Sequence, residues 1–479
     1  MGSPPGIPFR VTRRQILAFA EFSGDTNPLH VDVDYARTTP FADVITHGAL
    51  ASLMAISVSR ASPAPGARIE AHFLGPIYPD QDYTLQTQPT DASARSAAEN
   101  DAPMITVTIL DGQRVLLRIQ VTACPDGARF ASSDNPIDES ITDYRPDIAG
   151  IQDLLVQAGG ARISDGVALA FSAASMIVGM HHPGRQALLR TVSVTTPLRS
   201  SSAQSWGIDL SLPSAAGERR GLIGVTAAIR DDHGPYLMLS TRALRRPEPV
   251  TVMDTGPRTT ELAGHVSVVV GSSRGLGWSL ARELDRRGAD VVGIQRTTTS
   301  LNPFHVAVTD AQSPGDLEAV SADVRARFGA VDSLFLVATG PLRDMWVDEA
   351  HRPRIEDYLR NELELILRPL TAFLPQMAPN GRILLASSEV LGPAAALDPV
   401  ARGGTWPHYV TAKAMAEALV HVVGLENPSL KCHILRLPAM NTALVHHGGL
   451  QTVLEPAACA EMIVDALVSQ KPAMPFEAR

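Results

Sequence analysis

In the heptapeptide Gly24-Asp25-Thr26-Asn27-Pro28-Leu29-His30 a carboxylate and an imidazole stand close together in the chain. Gly, Asn and Pro favour a tight loop over a continued helix, so Asp25 and His30 are expected on a rigid, irregular backbone. A carboxylate and an imidazole converging on one small volume can share a water, one accepting its proton while the other hydrogen-bonds to it. Adding or removing water requires that arrangement. The plainer alternative is an Asx-type turn built by Asp25 and Asn27 with His30 packed beneath it. A second set lies far downstream. Tyr409 and Lys413 are spaced to share a helix face, where the ammonium can lower the phenol pKa and make Tyr409 a proton donor near neutral pH. Ahead of them, Gly271-Ser272-Ser273-Arg274-Gly275-Leu276-Gly277 follows the apolar run Val266 to Val270. After a strand and before a helix, such glycines let a dinucleotide pyrophosphate approach the backbone and the helix N-terminus.

The elements that must hold these residues differ between the two halves. Pro247, Pro249, Gly256 and Pro257 crowd the segment from Arg245 to Pro257 and mark a linker. Beyond it, a strand at Val266 to Val270, a helix from Trp278 to Arg287 and a strand at Val291 to Ile294 begin a β–α alternation that runs on to the end. That pattern predicts an α/β, doubly wound, Rossmann-type parallel sheet. Before the linker the chain repeats itself: Pro65-Gly66 and Pro183-Gly184 are offset by 118 residues (183 − 65), and the same offset lays Gly48 on Gly166. Each copy runs from a small-residue apolar helix (Ala49 to Val58, Val167 to Met180) through Pro-Gly into strands (Ile69 to Phe73, Leu188 to Val194), closed by further strands within 105–121 and 221–244. A long helix followed by an antiparallel sheet is an α+β arrangement in which the sheet wraps the helix, and two side by side form a pseudo-dimer. The expected divisions are residues 1–124, a second copy over 136–247, a linker over 248–262 and a last domain over 263–479.

Composition narrows the function classes. The length of 479 residues implies two to four domains at ~100–200 residues each. With 45% hydrophobic and 19% charged residues, each can bury a core. The formal net charge of −9 provides no global attraction for nucleic acid or anionic lipid, so neither is an expected partner. Cys124, Cys432 and Cys459 are too scattered for a disulfide framework or a zinc site. With no signal-like or membrane-spanning segment at sequence level, a reducing cytoplasmic location is expected. The pair His181-His182 carries no metal expectation, since no carboxylate or Cys partner stands near it in the sequence; surface or packing roles fit better.

Gly24, Asp25, Asn27, Pro28 and His30, followed by Thr46-His47-Gly48, resemble the R-specific enoyl-CoA hydratase and MaoC-like dehydratase family over about residues 8–123. The resemblance implies a hot-dog fold, with Asp25 and His30 as the catalytic pair, Asn27 shaping the loop on the substrate side, and Gly48 offering its backbone N–H to the thioester oxygen. An N–H at a helix start carries the positive end of the helix dipole and suits an enolate-like charge. The second copy lacks the heptapeptide and has Asp165 where the first has His47. It resembles the non-catalytic half of a double hot-dog, which helps hold the acyl substrate.

The Gly-x-x-x-Gly-x-Gly spacing, with Tyr409 and Lys413 behind it, resembles the short-chain dehydrogenase/reductase family over about 263–479. The likeness implies cofactor contacts at Gly271, Ser273, Arg274, Gly275, Leu276, Gly277, Thr339, Gly340, Tyr409, Lys413, Pro438 and Thr442. Catalysis would rest on Tyr409 and Lys413, the latter bonding the nicotinamide ribose, with Ser388 on the substrate oxygen and Asn361 as the proton-relay asparagine. Some positions depart from the family: Val337-Ala338-Thr339-Gly340 replaces its Asn-Asn-Ala-Gly, Ala307 replaces its adenine-side acid, and Ser388 and Tyr409 lie further apart than usual. After the second strand, Gln295-Arg296 stands where an NAD enzyme places an acid; Arg296 and Arg274 can clamp a 2′-phosphate, which favours NADPH.

Together the two resemblances imply a bifunctional enzyme on acyl-CoA or acyl carrier protein thioesters, in fatty-acid or polyketide-type biosynthesis. A 3-oxoacyl thioester would be reduced and its 3-hydroxy product dehydrated to a 2-enoyl thioester. Running backwards, the same chemistry is a degradative enoyl-CoA hydratase and 3-hydroxyacyl-CoA dehydrogenase. A third reading has one domain inactive and used for carrier-protein docking or assembly. A homodimer is expected from the reductase resemblance alone.

Overall fold

The computed structural model describes residues 6–37, 39, 41, 43–61, 63–89, 105–123, 137–212, 222–246, 257–296, 304–309, 311, 313–343, 345–391, 406–438, 440, 454–470 and 474–476. The chain divides into two compact units, the first holding Met1–Arg37 and Asp43–Glu248, the second Thr38–Ala42 and Pro249–Arg479.

The first unit runs β1 (Ile7–Phe9), α1 (Arg13–Ser23), α2 (Pro28–Val31), α3 (Val33–Arg37), α4 (Gly48–Val58), β2 (Arg68–Phe73), β3 (Tyr83–Pro89), β4 (Ile105–Asp111) and β5 (Arg114–Thr122). A second series follows: β6 (Glu139–Tyr144), α5 (Ile148–Gln157), α6 (Asp165–Met176), β7 (Ala187–Thr195), β8 (Trp206–Ser211), β9 (Leu222–Asp231) and β10 (Gly234–Arg245). All ten strands join one antiparallel sheet in the order β1-β3-β4-β5-β2-β7-β10-β9-β8-β6. The order reads the same from both edges if each strand is matched to its counterpart, so the two series are related by an approximate two-fold axis at the β2–β7 seam. There Ile69 faces Val194 and Ala71 faces Val192.

The two helices behind the sheet are apolar all round, as helices enclosed by a sheet must be. Every residue of α4 from Ala49 to Ser57 is buried, and α6 is buried from Gly166 to Met176. Both belong to one core with alternate residues of the strands, such as Ile223, Val225, Ala227 and Ile229 of β9. The two Pro-Gly pairs that revealed the repeat have the same job: Gly66 (φ +78°) and Gly184 (φ +80°) take left-handed turns leading into β2 and β7. The helices also reach across the axis. Ser57 Oγ of α4 donates to Ala161 O beyond α5, 2.5 Å away.

The second unit runs β11 (Val266–Val270), α7 (Gly275–Arg286), β12 (Asp290–Gln295), β13 (His305–Val308), α8 (Pro314–Phe328), β14 (Val331–Leu336), α9 (Arg352–Phe373), β15 (Met377–Ser388), α10 (Pro407–Glu426), β16 (Lys431–Leu437) and α11 (Pro456–Val468). Its six strands are parallel in the order β13-β12-β11-β14-β15-β16. Strand order reverses between β11 and β14, and the glycine-rich segment leaves β11 at that switch point, where open α/β sheets bind ligands. Val266 to Val270 are all buried, as expected of a strand covered on both faces. No helix of the described residues is long and apolar enough to cross a membrane.

Candidate active sites

Gly24 ends α1 in a left-handed conformation (φ +76°), and the chain turns sharply into Asp25. The Asp25 Oδ1 accepts the Asn27 N–H (3.1 Å), and Asn27 Oδ1 in turn accepts the Leu29 N–H (3.0 Å), capping α2. His30 therefore sits on one helical turn, Pro28–Val31, and not on the loop that Gly, Asn and Pro suggest. Asn27 at the N-cap and Pro28 at the first helical position start that turn, because such residues begin helices as readily as they end them. The Arg13 guanidinium of α1 holds its far end, donating to His30 O and, at 2.5 Å, to Val31 O.

Three side chains converge here. Ligating atoms of Asp25, His30 and His47 all lie within 4.8 Å of one another, and the two imidazoles stack with centroids 3.9 Å apart. Asp25 and His47 are buried, and His30 is partly so. His30 Nδ1 lies 2.8 Å from Ile45 O and His47 Nε2 lies 3.0 Å from Asp25 O. A carbonyl only accepts, so each of these nitrogens carries a proton, and in the neutral ring the lone pair falls on His30 Nε2 and His47 Nδ1. Burial pushes both rings down to about 3, with the His47 neighbour adding to the effect at His30, so both are neutral at physiological pH. Burial raises the Asp25 carboxyl, opposed by His30 and by hydrogen bonds from Ser175 and Asn27. Gly48 opens α4 beside this cluster, its N–H among the first-turn donors that find no acceptor within a helix. A Cβ at Gly48 would lie 2.7 Å from the Phe73 ring, so only glycine brings this backbone so close.

The half of the sheet without the heptapeptide also reaches this centre. Ser175 Oγ of α6 donates to Asp25 Oδ2 at 2.6 Å, and Asn27 Nδ2 donates to Gly179 O at 3.2 Å. Gly179 lies in a π-helical turn, Ile177–His181, that continues α6. The adjacent His181 and His182 do have a carboxylate partner, contrary to the sequence expectation. His182 Nε2 and His181 Nδ1 lie 2.7 and 3.4 Å from the two oxygens of Glu139, which lowers the Glu139 pKa. Glu139 is far away in sequence and meets them through the fold. Neither His47 nor Ser175 carried an expected role. His47 was visible beside Gly48, whereas nothing in the sequence ties Ser175 to Asp25.

In the second unit the glycine-rich turn forms a close cradle. A Cβ on Gly277 would lie 2.1 Å from Gly271 O, and one on Gly271 (φ +95°) would lie 2.7 Å from Ala338 backbone atoms. Arg274 stands at the N-cap of α7 with no side-chain cap bond, leaving the first-turn N–H groups of Gly275, Leu276 and Gly277 for an anion. Ser272 is buried and donates to Gln295 Oε1 (3.2 Å), tying the turn to β12, while Ser273 is partly exposed and Arg274 and Arg296 are exposed. The packing fits a dinucleotide held by Gly271 to Gly277.

Tyr409 and Lys413 lie on α10, with the Lys413 ammonium 5.5 Å from the Tyr409 ring centre and donating to Ala386 O at 3.2 Å. Ser388 ends β15, its Oγ accepting the Val390 N–H at 3.3 Å, and partly buried Pro438 follows β16. Thr442 lies outside the described residues.

Asn361 is exposed on α9, and its neighbour Glu362 is the residue that turns inward. The Glu362 carboxylate accepts from Thr339 Oγ1 at 3.0 Å and from the Gly340 N–H. The reason is helical period: the buried face of α9 runs through Tyr358, Glu362, Ile366, Pro369, Leu370 and Phe373, which excludes 361. That spacing was readable in the sequence and would have selected Glu362. Tyr358 packs edge-on to buried His408, and burial together with the Glu362 charge raises its phenol pKa.

A family profile described as MaoC like domain matches residues 3–106, and one described as short chain dehydrogenase matches residues 265–447. The (R)-specific enoyl-CoA hydratase of Aeromonas caviae is 30% identical over 112 residues, covering 22% of this chain and 79% of that protein. The 3-oxoacyl-[acyl-carrier-protein] reductase FabG of Escherichia coli (strain K12) is 31% identical over 141 residues, 26% of this chain. Here the chain spans 56% of the relative's length. Among solved structures, an alcohol dehydrogenase from the archaeon Thermococcus sibiricus, complexed with 5-hydroxy-NADP, covers 44% of this chain and 94% of its own, with 24% identity and a TM-score of 0.37. The chain thus belongs to the MaoC-like, (R)-specific enoyl-CoA hydratase family through its N-terminal region, fused to a short-chain dehydrogenase domain in its C-terminal half.

Proposed function

We propose that the chain is a bifunctional enzyme of fatty-acid or polyketide-type biosynthesis. It reduces a 3-oxoacyl thioester with NADPH and dehydrates the 3-hydroxyacyl product to a 2-enoyl thioester. The observation that carries this reading is the convergence of Asp25, His30 and His47 beside the first turn of α4, in a chain that also holds a dinucleotide cradle with Tyr409 and Lys413. On this reading the first unit is a double hot-dog. The protein is cytoplasmic, as its scattered cysteines suggest, and, as the family resemblances imply, it takes CoA or acyl carrier protein thioesters and dimerises through its reductase domain.

In the dehydratase site the His30 tautomer sets the direction of proton flow. With Nδ1–H bonded to Ile45 O, the Nε2 lone pair takes the proton from C2. As the electrons left at C2 form the double bond, the C3–O bond breaks, and protonated Asp25 gives its proton to the departing hydroxyl, which leaves as water. A buried carboxyl with a raised pKa suits that acid role. The Gly48 N–H at the start of α4 stabilises charge on the thioester oxygen.

In the reductase site, bound NADPH supplies a hydride for C3. Tyr409 donates its phenol proton to the C3 oxygen, and Ser388 Oγ orients that oxygen. Lys413, anchored on Ala386 O, stabilises the phenolate that remains. Arg274 and Arg296, both exposed, are the guanidiniums for a 2′-phosphate.

The test is NADPH and NADH oxidation with a 3-oxoacyl thioester, with products followed by mass spectrometry. The wild type should consume NADPH and accumulate the 2-enoyl product. Asp25→Asn should stop at the 3-hydroxy thioester, and Tyr409→Phe should leave the substrate unreduced. A wild type that stops at the hydroxy compound, or that only oxidises with NAD, overturns the reading.

A further inference from the structure

Ser172 and Ser175 are both buried serines of α6, one turn apart, yet they use their hydroxyls differently. Ser172 Oγ donates to Ala168 O of its own helix at 2.8 Å, the usual arrangement for a serine inside a helix. Ser175 turns away from its helix and spends its hydrogen on Asp25 Oδ2, 2.6 Å away in the loop between α1 and α2 of the other half. Just beyond it, α6 widens into the π-helical turn Ile177–His181, a distortion that occurs mostly at functional sites. The widened turn presents Gly179 O to Asn27 Nδ2 at 3.2 Å and lays Gly179 against the carboxylate. A Cβ on Gly179 would stand 2.3 Å from Asp25 Oδ1.

We propose that Ser175, carried by the half without the heptapeptide, is a positioning residue for Asp25 in the dehydration. This rests on the dehydratase reading of the Asp25 site. The carboxylate has two oxygens to fix: the Asn27 N–H holds Oδ1 and the Ser175 hydroxyl holds Oδ2. Without Ser175, the Asp25 side chain has freedom about its Cβ–Cγ bond, and the acid is no longer aimed at the leaving oxygen. The titratable groups facing Asp25 are His30 on α2, His47 before α4 and Tyr144 at the end of β6, whose hydroxyl donates to Ser23 O. The Ser175 hydrogen bond lowers the Asp25 pKa, opposing burial, so its removal should keep the carboxyl protonated to a higher pH.

The test compares full-length wild type, Ser175→Ala and Ser172→Ala in dehydration of 3-hydroxybutyryl-CoA, both enantiomers, across pH. The titration of the Asp25 carboxyl is followed in parallel by NMR of ¹³C-aspartate-labelled protein, assigned with Asp25→Asn. A hydrogen bond to a charged group is worth roughly 10- to 100-fold. Ser175→Ala should lose that factor in kcat with KM nearly unchanged, move the alkaline limb of the rate profile to higher pH, and shift the Asp25 resonance's titration the same way. Ser172→Ala should match wild type in all three. If Ser175→Ala matches Ser172→Ala in rate profile and in titration, the proposal is overturned. If wild type turns over neither enantiomer, the dehydratase reading falls. The NMR titration then decides on Ser175 alone, an unshifted Asp25 in Ser175→Ala overturning the proposal.

Discussion

His30 and His47 lie ring against ring, 3.9 Å between centroids and tilted by 33°, with both imidazoles held neutral by burial. Two stacked rings so close cannot both accept protons without repulsion in a poorly solvated site. Their pKa values of about 3 in the folded chain lie below the ~6.5 of the unfolded one. Between pH 6.5 and 3 the unfolded chain therefore binds more protons. The stability these rings allow is complete above pH 6.5 and drains away as pH falls toward 3. Asp25 acts in the opposite sense, its raised carboxyl stabilising the folded state at low pH and losing that contribution as pH rises through its folded value. As pH falls from 7 to 5, each ring's contribution to the stability slope of the first unit should rise toward one proton, offset by whatever Asp25 returns. Amide exchange of α4 peptides in urea reads this out, and His47→Gln should remove about one proton of slope; an unchanged slope refutes it.

Gly179→Ala should abolish dehydration while sparing reduction. Its Cβ would fall 2.3 Å from Asp25 Oδ1, too close for any real contact, so the carboxylate or the π-helical turn must move. A loss of ~100-fold or more in dehydration is expected, since small displacements of catalytic groups cost about that much. Parallel assays of enoyl formation and NADPH oxidation on one preparation check it, and an unimpaired dehydratase contradicts the geometry.

Gly277→Ala should weaken nucleotide binding and leave the dehydratase untouched. The added methyl would meet Gly271 O at 2.1 Å, a backbone atom that cannot turn aside. A loss of roughly 10-fold or more in affinity is expected, measured by the fluorescence of NADPH on titration. Wild-type affinity would show that the dinucleotide does not sit in this turn.

Glu362→Ala should reduce ketoreductase turnover roughly 10-fold, because two hydrogen bonds that hold Thr339 and Gly340 are lost. Asn361→Ala, changing an exposed neighbour, should stay within about 2-fold of wild type. Steady-state kinetics with a 3-oxoacyl thioester decide between them, and equal effects at the two positions speak against Glu362.

Legibility followed the range of each signal. Local signals served well: the valine run of β11, the glycines before α7, and the Tyr409–Lys413 spacing on α10 all lie where the sequence puts them. The approximate two-fold of the first unit was visible in two Pro-Gly pairs, because both turns need a glycine at positive φ. Short edge strands were missed. β1 and β6 are only 3 and 6 residues long, and β6 is largely exposed. Residue type points to Asn361 on α9, whereas the buried stripe of that helix carries the neighbouring Glu362 carboxylate inward. Ser175 and Glu139 were beyond reach, since each gains its partner only when the two halves of the sheet close on one another or distant segments meet.

The bond from Ser57 to Ala161 O and the bond from Ser175 to Asp25 are mirror acts, for the 118-residue offset of the repeat lays Ser57 on Ser175. Each long helix lends a hydroxyl to the loop of the opposite half, and only one borrower has a carboxylate to receive it. In the loop after α5, Gly160 and Ala161 provide no acid and no imidazole, and at the start of α6 Asp165 stands where the first half has His47. The second half's helix and its part of the sheet are retained intact. The first unit is asymmetric in its side chains and symmetric in its mechanics: the second copy is a fixture, machined to the same pattern as the part it clamps.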